Sequence, residues 1–251
     1  MLYAATTFWL LVIVFAAWGV HALWSQLVRP KAVNAILLPG TLVAQLGHVL
    51  GILVTGNSVR NTALMGNNES GDPETDTPQE TRVPVVGAVV IGMLPLLACG
   101  AALYAAARMW GRDVLAGLAP HEVAVAQSLP TSVGEVWALL HATLDLTANL
   151  LQAILNSDFR QWQTGLFLYL AVCLTVRMTP FEGNRRGALI AILLGGLLIT
   201  VIGFAWSGLE PLLEQAWPLL SFAVGMVLFL LLVSLLVSGL VGFVRILAKG
   251  Q

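Results

Sequence analysis

Charge is scarce in this chain: Asp, Glu, Lys and Arg make up 10% of its 251 residues, against 58% hydrophobic residues. Soluble domains carry about 25% charged residues, so the shortage excludes water as the main solvent and points to a polytopic membrane protein. The net charge of -1 comes without a concentrated basic face, which excludes a nucleic-acid partner. Cysteine is almost missing, and Cys99 and Cys173 both fall inside apolar runs. That excludes a disulfide framework and leaves both as small packing residues. No Lys or Arg precedes the first apolar stretch, Tyr3 to Trp24, which is long enough to span a bilayer. It is expected as a transmembrane helix, although Val20-His21-Ala22 loosely mimics a signal-peptidase site. No internal repeat is evident.

Long apolar runs are plentiful. They predict spans near 3–24, 33–55, 85–107, 133–156, 161–178, 187–206 and 216–244. The expected fold is an all-α polytopic membrane protein of about seven transmembrane helices, or six if 133–156 does not cross. All 251 residues then form a single membrane domain. Seven crossings with the N-terminus outside and the C-terminus cytoplasmic collect Arg29, Lys31, Arg108, Arg112, Arg177, Arg185, Arg186, Arg245 and Lys249 inside. Arg60, Arg82 and Arg160 stay outside, an asymmetry of the kind the positive-inside rule describes. The implied location is a bacterial inner membrane, with the lipid bilayer as first partner.

Residues 57–82 are a different material. From Gly66 to Glu80 there is almost no apolar side chain, so this acidic insert buries no core and is expected as a mobile, solvated outer loop. Asn68-Glu69-Ser70 is formally a glycosylation sequon. The 133–156 span is unusual in another way, because His141, Asp145, Asn149, Gln152 and Asn156 recur at helical intervals as one polar stripe. Such a helix either lies at the membrane interface or crosses with its stripe turned toward protein or a wet cavity.

Within the second run, Leu38 to Leu50 reads Leu-Pro-Gly-Thr-Leu-Val-Ala-Gln-Leu-Gly-His-Val-Leu. In the zinc-protease pattern H-E-x-x-H, two histidines one helical turn apart hold the metal and the glutamate polarises a water. Ala44 stands at the first histidine, Gln45 at the glutamate, and only His48 remains. Taken alone, a single His on an apolar helix reads as a hydrogen-bonded packing residue. A helix starting near Gly40 carries His48 roughly 12 Å along its axis. Further on, the aromatic-rich span from Trp162 ends in Pro180-Phe181-Glu182-Gly183-Asn184-Arg185-Arg186-Gly187. Between the two, Gly87, Gly92, Pro95 and Gly100 interrupt the run from Val85 to Ala107.

In their order and context, residues 38–188 resemble the core of the site-2 protease class of intramembrane zinc metalloproteases. The resemblance implies a membrane-embedded metal site whose third ligand, an aspartate beside a Pro-containing turn, corresponds to Asn184. Ala44, Gln45 and Asn184 are poor ligands, so the vestigial positions Ala44, Gln45, His48 and Asn184 imply no zinc, no other cofactor and no peptide hydrolysis. The expected function is a catalytically inactive, protease-like accessory, scaffold or regulatory subunit that binds other integral membrane proteins. Two alternatives stay open: an active zinc protease with displaced ligands, such as His48 with His141 or Asp145, and a small-solute or ion transporter using the polar stripe.

Overall fold

The computed structural model describes residues 2–57, 59, 61–63, 74–76, 84–116, 125–178, 185–205 and 208–249. They form helices α1 (Leu2–Leu27), α2 (Pro30–Ile36), α3 (Leu38–Val54), α4 (Pro84–Trp110), α5 (Arg112–Ala116), α6 (Val133–Asn156), α7 (Trp162–Val176), α8 (Arg185–Ala205) and α9 (Leu209–Lys249). The protein is an α-helical integral membrane protein. Among the described residues, α1, α6, Val89–Trp110 of α4 and Leu209–Phe243 of α9 are long and apolar enough to cross a bilayer, and α2 with α3 would make a fifth span. α7 is shorter, about 22 Å.

The acidic insert contains one pairing the sequence did not announce. Asn61–Ala63 (β1) and Glu74–Asp76 (β2) pair antiparallel with Thr62 opposite Thr75. A backbone ladder needs no hydrophobic core, and Thr suits a strand.

Glycines and tryptophans fix the helix directions. α1 and α9 run the same way, because Gly19 faces Leu231 and the Trp24 indole donates to Ser234 Oγ at 2.8 Å. Toward the amino-terminal end of that pair, the Trp9 and Trp217 indoles donate to the Ala126 and Val125 carbonyls, each at 2.9 Å. α8 runs opposite to α1, with Gly196 on Thr7 and Gly203 on Tyr3. α4 ends at the amino-terminal end too. Gly111 abuts Phe167, whose ring lies 5.7 Å from Phe222, and the neighbouring Ser221 accepts from the Val125 N–H. α7 is antiparallel to α4, since Gly111 meets Phe167 while Cys99 Sγ lies 3.8 Å from the Arg177 carbonyl. α3 is also antiparallel to α4, with Gly47 on Leu94 and Pro95, and Gly51 on Ile91.

These directions differ from an alternating seven-span path at two places. The run 33–55 is not a straight crossing: His21 Nε2 lies 3.4 Å from Asn34 Oδ1, so α2 turns back beside the last turns of α1, lying across it, and the axis bends by 82° before α3 sets off in α1's direction. The break falls at Leu37, just before Pro39, where the missing Pro N–H and the restricted preceding residue disfavour a continuous helix. The second place is α6. The chain enters it from Val125–Ala126 and leaves it for Phe167, all at the amino-terminal end of the bundle. α6 starts with a capping box, in which Ser132 Oγ accepts from the Glu135 N–H at 3.3 Å and Glu135 Oε2 accepts from the Thr131 N–H at 2.6 Å.

Candidate functional site

Gly40, Ala44, Gly47 and Gly51 recur at intervals of four, three and four, on one face of α3. Among the described residues, that face makes the closest approaches of helix backbone to helix backbone. A Cβ on Gly40 would stand 2.1 Å from the Cys173 carbonyl oxygen, one on Gly47 would be 2.7 Å from that of Leu94, and one on Gly51 2.9 Å from Ile91 Cα. Ala44 lies between these contacts and is 0% exposed. Small residues let helix backbones meet, so Ala44 is a packing position with no room for an imidazole.

His48 has a different task. Pro95 lies inside α4 and lacks the N–H that would serve the carbonyl four residues back, that of Ile91. The His48 imidazole lies against Ile91's backbone, within hydrogen-bonding reach of it. A lone polar side chain on an apolar helix is thus placed to supply the hydrogen bond a neighbouring proline removed, as backbone groups in a bilayer require. We expect His48→Leu to destabilise the protein by about 1–3 kcal/mol. In a Pro95→Ala background, where residue 95 regains its N–H, the same change should cost close to nothing. Denaturation of the four proteins in detergent measures the coupling, and equal losses in both backgrounds would refute the assignment.

Gln45 is buried at 4% exposure. Asn184 lies outside the described residues. Among the described residues no group of three or more His, Cys, Asp and Glu side chains could hold a metal ion.

The polar stripe of α6 does not face the protein. His141, Asp145, Gln152 and Asn156 are exposed and Asn149 is half-buried, while Leu146, Thr147, Leu150 and Ala153 form the buried face. Leu146 and Leu150 pack over Gly225 of α9. His141 Nδ1 is bonded within its own helix, to the Trp137 carbonyl at 2.9 Å. The relocated zinc site pairing His48 with His141 or Asp145 is therefore not assembled: His48 is turned to α4 and the stripe is turned outward. The interfacial placement of α6 is the one this burial pattern favours.

What sequence reasoning missed is a buried polar cluster at the α2–α3 break. Arg177, counted from the sequence among the inner-side cations, is 2% exposed, and its Nη2 donates to Asn34 Oδ1, itself 2% exposed. Tyr169 donates its hydroxyl to the Ile36 carbonyl at 2.7 Å, and Cys173 Sγ approaches the same oxygen at 3.5 Å. α7 thus serves a carbonyl that the end of α2 leaves without a helical donor. The signal was present: Tyr169, Cys173 and Arg177 stand at intervals of four on an otherwise apolar helix. Arg177 was hidden by its place at the end of the run, where a cation ordinarily reads as a membrane-surface anchor.

No protein-family model, curated protein or solved structure matches this chain.

Proposed function

We propose that the protein is a noncatalytic integral membrane protein, a degenerate relative of the site-2 proteases, that acts as an accessory, scaffold or regulatory subunit in a membrane assembly. The observation that carries this reading is the engagement of His48 by the Ile91 backbone, next to the closed seam at Ala44. The one retained zinc-type residue completes a helix, and the position of the lost one is filled by helix contact. With no general base at Gln45, hydrolysis by the family mechanism has no chemistry to run on. The surface left for function is apolar helix: Leu42, Leu46, Leu50 and Leu53 form an exposed row on α3, and Leu235, Leu236, Leu240 and Phe243 one on α9. Lipid or another transmembrane helix suits such rows equally, and in a subunit part of them faces the partner.

Protein purified from its native membrane without chelators should copurify with a second integral membrane protein and carry far less than one zinc per chain. About one zinc per chain, lost in His48→Ala, would overturn the pseudoenzyme reading. A chain that purifies alone after crosslinking in the native membrane would overturn the subunit reading.

The same proposal includes a topology. α1, α4, α7, α8 and α9 alternate in direction as five passages, with α2–α3 re-entrant and α6 along the interface. The end of the bundle holding the C-termini of α1 and α9 then receives Arg29, Lys31, Arg60, Arg82, Arg185, Arg186, Arg245 and Lys249, while the other keeps Arg108, Arg112 and Arg160. By the positive-inside rule the first end is cytoplasmic. The N-terminus stays outside and the C-terminus inside a bacterial inner membrane, but the acidic insert moves to the cytoplasmic face.

A second reading has one specific support. Buried Arg177 and Asn34, with half-buried His21, beside a broken helix are the arrangement in which transporters hold polar solutes. Flux in proteoliposomes that Arg177→Met abolishes would favour it.

A further inference from the structure

Between the amino-terminal halves of α1 and α9 and the middle of α4 lies a cavity of about 480 Å³. Its floor is made by the absence of side chains. Gly100 and Ala101 line it, and a Cβ built on Gly100 would meet nothing within 4 Å. Gly100 therefore differs from Gly47 and Gly51: it keeps space open, where they bring helices together. The interior is apolar, with Met178 and Trp217 buried in the wall. Leu97 and Leu212, 57% and 54% exposed, stand at the rim, so the cavity opens sideways to lipid. Polar groups are confined to Thr6, Tyr104 and Gln215. Tyr104 is 52% exposed, Gln215 is exposed, and both lie toward the amino-terminal end of the bundle by the directions of α4 and α9.

We propose that this cavity is a binding site for one hydrocarbon chain of a membrane phospholipid, whose headgroup region rests at Tyr104 and Gln215. Three considerations select that occupant. An apolar cavity does not hold water, which needs several polar partners. An empty one forfeits dispersion contacts along its whole wall, while the solvent at its sideways opening is itself hydrocarbon. The volume lies within the range of ligand sites, about 300–1,000 Å³, and the hydroxyl and amide at the mouth match the polar end of an amphiphile.

The test is native mass spectrometry of the full chain in detergent with palmitoyl lysophosphatidylcholine as probe. The wild type should retain one probe molecule per chain after washing that removes loosely held lipid. Gly100→Leu, which places a side chain in open space, should lower occupancy about tenfold or more, because several methylenes lose their place. It should melt at or above the wild-type temperature, since it fills a void. Ala101→Leu serves the same purpose should Gly100→Leu fold poorly. Gly239→Leu, at a position on α9 that is equally open but far from the cavity, should bind as the wild type does. No retained probe in the wild type, or equal occupancy in wild type and the folded cavity variants, would overturn the proposal. An equal loss in Gly239→Leu would do so as well.

Discussion

Ala44→His combined with Gln45→Glu, which restores the complete zinc-protease pattern with His48, should yield a chain that binds no zinc and folds poorly. Ala44 is 0% exposed in the seam where α3 meets α7 and α4 at backbone distance. An imidazole there pushes α3 away from its neighbours, a form of overpacking that costs about 1–3 kcal/mol or more. Gln45 is 4% exposed, so the new carboxylate is buried as well and adds a comparable or larger penalty. The combined loss, on the order of 3–6 kcal/mol, is a large part of an ordinary stability of about 5–15 kcal/mol. Denaturation midpoint and protease resistance in detergent report the fold, and elemental analysis reports the metal. A variant of wild-type stability with about one zinc per chain would show that α3 still carries a working metal scaffold, and the packing account of Ala44 would fall with it.

The second large effect concerns sidedness. Single cysteines at Thr75 and at Asn184 should both react with an impermeant reagent from the cytoplasmic face, and a cysteine at Asp158 only from the opposite face. The native thiols give little background, because Cys99 and Cys173 are both buried. An alternating path of seven spans predicts the contrary for the first two, with Thr75 outside and Asn184 inside. The difference is all-or-none, since no rearrangement of side chains moves a loop across about 30 Å of hydrocarbon. Labelling of Thr75 and Asn184 from opposite faces would return 33–55 to a true crossing and remove the re-entrant α2–α3 from the topology.

The sequence showed that helices exist and where. The runs at 85–107, 133–156 and 161–178 became α4, α6 and α7 within a few residues, because a stretch in lipid must satisfy its own backbone and a helix is the way to do so. It also showed that Ala44 and Gln45 are not zinc ligands of the usual kind, since a ligand is a matter of residue type. Direction was not readable in the same way. Hydropathy is identical for a helix traversed either way, and the charge bias that sets orientation is satisfied by both arrangements, each leaving three cations outside. Only contacts distant in sequence separate them: Trp9 with Ala126, Phe167 with Phe222, Cys99 with Arg177.

For individual residues the division follows the same physics. That His48 is polar, that Pro95 lacks an N–H and that Gly100 lacks a side chain are facts of the sequence alone. That His48 meets the backbone of Ile91, four residues before Pro95, is decided by the α3–α4 seam, made by residues about forty positions apart. Gly47 and Gly100 are the same residue in the same kind of apolar helix. The tertiary structure set one against a backbone 2.7 Å from its missing Cβ and the other against open space. Arg177 likewise became an interior group only because α2 turns back beside the end of α1 and presents Asn34 to it, a long-range event that no local pattern of hydrophobicity encodes.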